Sequence, residues 1–329
     1  MRVALIGAGR IGRIHGANVA ARPDARLVYV ADIDPKAAKG LAASTGAEVA
    51  EIDKIMNSRE VDAVLICAPT DMHAPLVERA AEAGKAIFCE KPIDLKIDRV
   101  RSCLSIVEKT GVPMMVGFNR RFDPNFSALK ARIDRGIVGS VEIVTITSRD
   151  PAPPPADYAA RSGGLFRDMM IHDFDMARFL LGEEPIAVTA TGSALVDSAI
   201  GEAGDVDTAA VILETRSGKI AQISNSRRAS YGYDQRIEVH GSKGMARAGN
   251  VHETTLEIAG SKGFARDPVQ NFFLERYAAA YRLELDAFIL AVKKARSPSP
   301  SGADGLKAQL LADAATLSSK QRRRVELTG

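Results

Sequence analysis

Cysteine, net charge and long apolar runs are all scarce in this sequence, and each scarcity argues against a class of protein. The chain has only three cysteines, Cys67, Cys89 and Cys103, and their spacing matches no metal-binding pattern. An odd cysteine count, with an N-terminus that passes directly into a predicted strand, fits a reducing, cytoplasmic compartment. We therefore expect neither a disulfide framework nor a cysteine-based metal site.

Charge and hydropathy exclude two further classes. The 44 Lys and Arg residues against 41 Asp and Glu residues leave a formal net charge of +3, too small to favour nucleic-acid binding. The basic triplet Arg322–Arg324 is more typical of a solvated chain end. No apolar run approaches the roughly 20 residues that span a bilayer, so no membrane segment is expected. The 329 residues are enough for two globular domains.

The most informative pattern that is present lies at the N-terminus, where a strand predicted over Arg2–Ile6 runs into a glycine-rich turn. This turn leads into a helix predicted to continue to about Ala21. In the dinucleotide-binding fingerprint, the three glycines permit a tight turn, close approach of the backbone to a pyrophosphate, and close helix packing. The turn residues assigned to cofactor binding are Gly7, Gly9, Arg10, Ile11 and Gly12.

Asp32 supports the same assignment. It follows the next predicted strand, Arg26–Ala31, at the spacing of about 20 residues where an acidic side chain binds the adenosine ribose hydroxyls. Its negative charge would repel a 2′-phosphate, which favours NAD as the cofactor. Arg10 and Lys36 could each reach toward such a phosphate, so NADP stays an alternative.

Strands and helices continue to alternate through the first third of the chain. The predicted elements are strands over Val61–Cys67, Ala86–Cys89 and Pro113–Val116, separated by helices over 74–83 and 95–109. This order predicts an α/β fold whose N-terminal Rossmann domain, residues 1–119, contains a doubly wound parallel sheet. Ligands on such sheets bind beyond the carboxyl ends of the strands, so residues that follow strands are candidate site residues.

Lys91 is the main candidate at such a strand end. A lysine there can donate to a substrate hydroxyl or to the cofactor ribose, and its charge can stabilise a developing alkoxide. Glu90 precedes it, and Thr70 and His73 follow a neighbouring strand, so we expect all three beside the cofactor. Two alternatives stay open: Lys91 could be a surface lysine before a turn at Pro92, and His73 could pack at a helix N-terminus.

After residue 119 the pattern changes, and residues 120–329 are predicted to form a second, α+β domain. Its predicted strands are Val141–Ser148, Ile186–Ala194, Thr208–Thr215, Lys219–Arg227, Gln235–His240, Met245–Ala248 and Thr254–Ile258, before a long helix over Asn271–Ala295. Short turns between successive strands favour a large, mainly antiparallel open sheet. One face of an open sheet needs a cover, so a homo-oligomer is expected.

A candidate proton-transfer pair lies in the stretch Ser162–Asp175. A helix predicted from Gly164 to Gly182 places Asp168 and His172 one turn apart on the same face. Another face of this helix is predicted to be core: Met170, Phe174, Ala177 and Leu181. Histidine titrates near neutral pH, and a carboxylate can orient it and raise its basicity, which suits acid–base catalysis. A surface polar contact or a metal-ligand pair would use the same residue types.

The order of these motifs resembles the large family of glucose-fructose oxidoreductase, inositol dehydrogenase and rhizopine-catabolism proteins. That order is the glycine turn, Glu90-Lys91-Pro92, Asp168 with His172, and a mainly antiparallel C-terminal domain. The resemblance covers essentially the whole chain and is greatest to the inositol 2-dehydrogenase members. Its supporting segments are Gly117–Asp123, Ser148–Pro151, Ser162–Asp175 and Tyr231–Asp234.

The resemblance implies an NAD-dependent dehydrogenase that transfers a hydride from a ring hydroxyl of myo-inositol, or a close cyclic polyol, giving 2-keto-myo-inositol. It implies three catalytic residues: His172 takes the hydroxyl proton, Asp168 tunes His172, and Lys91 binds the same oxygen. No metal is expected, because lysine already supplies the positive charge that zinc would.

The resemblance also implies how the rest of the substrate is held. Arg121, Asp150 and Tyr233 would bind the other ring hydroxyls, although Asn119 or Tyr231 could take part instead. It suggests a homotetramer built through the sheet. Three rival functions stay open: a dehydrogenase of another inositol isomer or an aldose, a hydrolase that uses tightly held NAD for transient oxidation, and an NAD-binding redox sensor without turnover.

Overall fold

The chain divides into two compact units in the computed structural model, which describes residues 1–155 and 162–327. The first unit is Met1–Phe122 with Ala280–Lys307, and the second is Asp123–Ala279 with Ala308–Gly329. The predicted boundary between residues 119 and 120 took each domain as one continuous piece, whereas the structure adds a C-terminal segment to the first unit.

That segment packs with the first unit because its helix is apolar. Leu285, Phe288 and Ile289 are buried in the same hydrophobic cluster as the strand residues Leu5 and Phe88. Burying a side chain of this size stabilises a fold by roughly 1.5–3 kcal/mol, so three of them are enough to fix where the helix packs.

A six-stranded parallel sheet forms the centre of the first unit. Its strands are β1 Arg2–Ile6, β2 Arg26–Ala31, β3 Glu48–Val49, β4 Ala63–Ile66, β5 Ala86–Glu90 and β6 Met114–Gly117. Their order across the sheet is β3-β2-β1-β4-β5-β6. The helices between them are α1 Arg10–Ala20, α2 Pro35–Thr45, α3 Ile52–Asn57, α4 Thr70–Glu82 and α5 Ile97–Thr110. The predicted doubly wound parallel sheet is therefore confirmed.

A seven-stranded mixed sheet forms the second unit. The strands after β6 are β7 Val141–Arg149, β8 Pro185–Ser193, β9 Thr208–Thr215, β10 Ile220–Ser226, β11 Asp234–Gly241, β12 Gly244–Ala248, β13 Glu257–Gly260, β14 Gly263–Arg266 and β15 Val325–Glu326. The sheet order is β12-β11-β7-β10-β9-β8-β15, with β13 and β14 as a separate hairpin. Only β7 and β10 pair in parallel within the described part of this sheet. The predicted mainly antiparallel sheet is confirmed.

The remaining helices differ in part from those that the sequence predicts. A 3₁₀ helix covers Asn119–Phe122, followed by α6 Pro124–Asp134, α7 Leu165–Asp168, α8 Ile171–Leu181, α9 Ser198–Glu202, α10 Phe273–Arg276, α11 Ala278–Lys293 and α12 Gly302–Gln321. The predicted long helix over 271–295 is wrong, because it is divided at Tyr277. Among the described residues, none of these helices has both the length and the apolar composition of a membrane span.

The predicted single helix from Gly164 to Gly182 is also wrong, because it is divided after Asp168. The Leu165 carbonyl accepts hydrogen bonds from the N–H groups of both Met169, at 3.1 Å, and Met170, at 2.9 Å. This closes α7, and the Met170 carbonyl then begins α8. Both methionines at the break are buried. The predicted core positions are confirmed as buried: Met170, Phe174, Ala177 and Leu181.

Candidate active site

The turn between β1 and α1 requires glycine at two positions and leaves space at a third. Gly7 has a φ of +101°, and a Cβ there would lie 2.4 Å from the Cys67 carbonyl. A Cβ on Gly12 would lie 1.8 Å from the Gly7 carbonyl oxygen. A Cβ on Gly9 would meet no described atom within 4 Å. The turn is therefore open at Gly9, the position predicted to face the pyrophosphate.

The N-terminus of α1 is available to an anion. Within the described chain no side chain caps this helix, and its first turn, which contains Arg10 and Ile11, has no acidic residue. The N–H groups of a helix N-terminus and the helix dipole together favour a negative group there. The residues present therefore fit the pyrophosphate of a dinucleotide.

Asp32 lies directly after β2, and its carboxylate reaches the glycine turn. Its Oδ2 accepts a hydrogen bond from the Ala8 N–H at 2.5 Å, and its Oδ1 accepts one from the Asp34 N–H at 2.7 Å. Asp34 itself caps α2 by accepting from the Lys36 N–H at 2.9 Å. The acid that the sequence predicts for ribose binding is therefore held beside the turn by two backbone donors.

His73 is buried in the first turn of α4, the helix that begins at Thr70. Its Nδ1 lies 2.7 Å from the Pro92 carbonyl oxygen and its Nε2 lies 2.7 Å from the Ala68 carbonyl oxygen. Burial lowers the pKa of the His73 imidazole, which favours the neutral ring. A neutral ring has one N–H, so it donates to only one of these two carbonyl groups at a time. The ring connects the loops that follow β4 and β5, an arrangement that favours the packing alternative for His73.

Glu90 and Lys91 lie at the end of β5, where the sequence places them. The Glu90 Oε1 lies 2.8 Å from the His15 Nε2, and a Cβ on Gly117 would come within 2.9 Å of the Glu90 Oε2. Glu90 thereby links the carboxyl end of β5 to the buried His15. Lys91 follows it, half-buried, and the peptide bond between Lys91 and Pro92 is cis.

A buried cluster that the sequence did not predict lies behind this strand end. The His15 Nε2 is 3.9 Å from the Glu284 Oε1, and both side chains are fully buried. Neither Glu284 oxygen has a hydrogen-bond partner among the described residues. Burial raises the pKa of the Glu284 carboxyl, and the charge of Glu90 raises it further. The donor atoms of His15, Glu90 and Glu284 lie within 4.8 Å of one another, a spacing that could hold a metal ion.

Arg121, predicted to bind substrate, lies in the 3₁₀ helix after β6. Its Nη2 donates to the Asp304 Oδ1 at 3.0 Å, and its side chain is only 9% exposed. The Asp304 Oδ2 accepts from the N–H and hydroxyl of Ser301 at the start of α12. The guanidinium is therefore oriented by a carboxylate that sequence reasoning did not single out.

In the second unit, strand register places two predicted site residues at one end of the mixed sheet. Arg149 pairs with Ser226 on one side and with Asp234 on the other. Asp150 follows Arg149, and its N–H donates to the Ser226 carbonyl at 3.0 Å. Tyr233 precedes Asp234 and is buried. Asp150 and Tyr233 therefore lie at the same end of the sheet.

The ends of α7 and α8 come to this end of the sheet as well. The Asn225 Nδ2 donates to the Asp173 Oδ2 at 2.8 Å, and the Arg227 Nη2 lies 3.6 Å from the Asp168 Oδ2. Asn225 and Arg227 flank the last residue of β10, and His172 stands beside Asp173 in the first turn of α8. Asp150, Asp168, His172 and Tyr233 therefore all lie at this end of the mixed sheet.

Two contacts hold the short helix α7, which carries Asp168. Both carboxylate oxygens of Asp205 lie 3.1 Å from the Leu165 N–H, which donates to them. The Arg167 Nε donates to the Asp313 Oδ1 at 2.5 Å, and burial raises the pKa of the Asp313 carboxyl. Gly164 is required before the helix, because a Cβ there would lie 2.6 Å from the Asp205 Oδ1.

Sequence reasoning missed Asp205 and Arg227 at this end of the sheet. Arg227 fell at the end of the predicted strand Lys219–Arg227, where alternation alone does not show which face it takes. Asp205 lies in the loop after α9 and reaches α7 only through the fold.

Both units match models of one protein family. Residues 1–118 match the NAD-binding Rossmann fold of the GFO/IDH/MocA oxidoreductase family, and residues 130–327 match the C-terminal alpha/beta domain of that family. Together the two matches cover most of the chain and agree with the two sheets described above.

Individual relatives match this chain over nearly its whole length. It is 58% identical over 327 residues to the inositol 2-dehydrogenase of Rhizobium meliloti, covering 99% of each chain. It resembles the solved myo-inositol dehydrogenase of Corynebacterium glutamicum, with 45% identity, a TM-score of 0.96, and 100% and 99% coverage. A structure of scyllo-inositol dehydrogenase from Lactobacillus casei with bound NAD(H) and scyllo-inositol has 28% identity, a TM-score of 0.92, and 99% and 98% coverage. The chain belongs to the GFO/IDH/MocA family of oxidoreductases.

Proposed function

We propose that this protein is an NAD-dependent dehydrogenase that oxidises a ring hydroxyl of myo-inositol to give 2-keto-myo-inositol. The observation that carries the proposal is the convergence of Asp150, Asp168, His172 and Tyr233 at one end of the mixed sheet. A polyol needs several charged or hydroxyl partners around its ring, and its oxidation needs a base for one hydroxyl proton. The full-length similarity to inositol dehydrogenases supports myo-inositol as the substrate.

NAD supplies the hydride acceptor in this reaction. The open side of the turn at Gly9 and the uncapped start of α1 fit its pyrophosphate. Asp32 would accept hydrogen bonds from the adenosine ribose hydroxyls, and its charge disfavours the 2′-phosphate of NADP.

His172 and Asp168 carry the proton in this proposal. His172 accepts the proton of the reacting hydroxyl, and Asp168 orients the imidazole and stabilises the imidazolium that forms. We assign Lys91 to the same oxygen, where its ammonium donates a hydrogen bond and offsets the negative charge that develops as the proton leaves. A metal ion is not needed for this role.

The other ring hydroxyls are assigned to Arg121, Asp150 and Tyr233. A carboxylate accepts hydrogen bonds from two vicinal hydroxyls, whereas a guanidinium donates to them, so the set can bind several ring hydroxyls at once. Arg121 suits this role because Asp304 already fixes its guanidinium, which lowers the conformational entropy lost on binding.

We further propose a cytoplasmic homotetramer formed through the mixed sheet. In β9 the burial alternates, so that Val211 and Leu213 are buried while Ile212 is 43% exposed. Met245 in β12 is 49% exposed. Exposed apolar side chains on an open sheet face, here among polar neighbours such as Gln222 and Thr189, support a second subunit as its cover.

Formation of reduced nicotinamide across a panel of substrates tests the proposed activity. The panel contains myo-, scyllo- and chiro-inositol and glucose, each with NAD and with NADP. We expect the highest kcat/KM with myo-inositol and NAD. A higher kcat/KM with glucose would transfer the assignment to aldoses. Binding of NAD without turnover of any substrate would favour the redox sensor.

A further inference from the structure

Arg227 is among the largest fully buried side chains of the described residues, with 2% of its surface exposed. It directly follows β10, and its N–H donates to the Asp207 carbonyl at 2.8 Å, which fixes its backbone. An arginine keeps its charge in proteins, and burying a cation costs several kcal/mol unless a partner compensates for it. A guanidinium at this depth therefore needs a negative group beside it.

The carboxylate beside the Arg227 guanidinium is Asp168. The Arg227 Nη2 lies 3.6 Å from the Asp168 Oδ2, and the Asp168 side chain is 17% exposed. The Asp207 carboxylate is directed elsewhere, because it accepts from the N–H groups of Leu195 and Val196 at 2.8 and 2.9 Å. Among the described residues, the Nε and Nη2 of Arg227 have no hydrogen-bond partner, so its nearest charge compensation comes from Asp168.

The geometry gives the two oxygens of Asp168 different surroundings. Arg227 attracts Oδ2 at the distance of an ion pair. A carboxylate held on one oxygen cannot rotate freely, so Oδ1 is kept in one direction. A base that must be oriented within a fraction of an ångström depends on such support from the residues behind it.

We propose that Arg227 is a positioning residue for the dehydrogenation: it holds Oδ2 of Asp168 and thereby fixes the carboxylate that orients the His172 imidazole. This inference rests on the function proposed above, in which Asp168 and His172 transfer the substrate proton. Arg227 itself touches neither the substrate nor the cofactor in this role.

The first test separates kcat from KM and from cofactor binding. We expect Arg227→Met, which removes the charge and keeps much of the volume, to lower kcat by about 10- to 100-fold, because a small misplacement of a catalytic group has effects of this size. The KM for myo-inositol and the NAD dissociation constant should each change less than about threefold. Arg227→Lys should recover part of the lost kcat.

The neighbouring Arg228 provides a matched control, since it is exposed. Arg228→Met removes the same charge one residue away and should leave kcat within about twofold of the wild type. Equal losses in Arg227→Met and Arg228→Met would show that general charge, and not the contact with Asp168, matters. The thermal midpoint of each variant reports whether it is folded.

A double-mutant cycle with Asp168→Asn decides whether Arg227 acts through Asp168. If it does, Arg227→Met costs at most about threefold in kcat once Asp168 is already Asn. The same fold-loss in both backgrounds would overturn the inference. If Arg227→Met does not fold, Arg227→Lys completes the cycle. Near wild-type turnover of Asp168→Asn alone would instead contradict the proposed function.

Discussion

At the scale of single residues, Asp32 and Asp34 are expected to have different roles, one in NAD affinity and the other in stability. Asp32→Ala should raise the NAD dissociation constant about tenfold or more, because a hydrogen bond to a charged group is worth about 1.5–3 kcal/mol. Asp34→Ala removes the cap of α2 and should cost about 0.5–2 kcal/mol of stability. Calorimetric titration with NAD and urea unfolding of both variants check this pair.

The two variants control for each other. NAD affinity in Asp34→Ala should stay within about twofold of the wild type, because that carboxylate caps α2 by accepting from the Lys36 N–H. A similar loss of affinity in both variants would show that the loop, and not the Asp32 carboxylate, binds the ribose.

The free energy of unfolding should depend on pH because Glu284 is buried, and the direction of that dependence follows from the burial. Burial raises the pKa of this carboxyl, so the folded state binds the proton more tightly than the unfolded state. Its contribution to stability is therefore complete below the unfolded pKa of about 4.3 and is lost as the pH rises above that value. Compared with Glu284→Gln, the wild type should lose unfolding free energy as the pH rises from about 4.3 through the raised pKa of the folded state.

Urea unfolding at several pH values measures this difference. Glu108→Gln on α5 is the matched control, since Glu108 is exposed, and its difference from the wild type should not change with pH. A constant difference between Glu284→Gln and the wild type across the same range would mean that Glu284 is ionised in the fold.

At the scale of elements, the short helix α7 sets where Asp168 stands. Gly164→Ala introduces a Cβ 2.6 Å from the Asp205 Oδ1, at a φ of +83°. We expect it to cost about 1–3 kcal/mol of stability and to lower kcat about tenfold or more, because Asp205 must leave the Leu165 N–H. Unfolding and turnover measured on the same preparation check both effects.

Gly182→Ala is the control for backbone strain alone. Gly182 ends α8 with a φ of +64°, and a Cβ there would meet no described atom within 4 Å. It should cost about 1–2 kcal/mol of stability and leave kcat near the wild-type value. If Gly164→Ala loses stability without losing activity, α7 does not control the position of Asp168.

The same elements show what the sequence could and could not predict. The glycine turn and Asp32 were predictable because the constraint on them is local: a fixed spacing, a tight turn and a strand end. The division of the helix after Asp168 was not, because no glycine or proline marks it in the sequence. Helical spacing predicts a shared face only where the helix is continuous.

Partners distant in sequence escaped prediction for a related reason. Arg227 meets Asp168 only through the position of α7 at one end of the mixed sheet, and His15 meets Glu284 only through the packing of α11. A one-residue change in the register of β10 would turn Arg227 to the opposite face of the sheet. Sequence therefore indicates which residue types are available, whereas the fold decides which of them meet.

At the scale of the whole molecule, the open face of the mixed sheet predicts self-association. Light scattering of the purified protein should give about four times the chain mass of 35.1 kDa. Ile212→Lys places a charge on the exposed face of β9 and should dissociate the assembly, because burying an unpaired charge is costly.

Ile137→Lys is the matched control, since Ile137 is also exposed but lies in the loop after α6. It should leave the mass unchanged. A monomer mass for the wild-type protein, or equal dissociation by both variants, would contradict assembly through the sheet.

In the proposed mechanism, His172 of the second unit removes the substrate proton, whereas NAD binds to the first unit. Turnover of His172→Ala with myo-inositol and NAD, measured beside its NAD affinity, separates these two roles. We predict a loss of about 10²- to 10⁴-fold in kcat, the usual contribution of a general base, with the NAD dissociation constant unchanged within about twofold. Turnover near the wild-type rate would show that His172 is not the base.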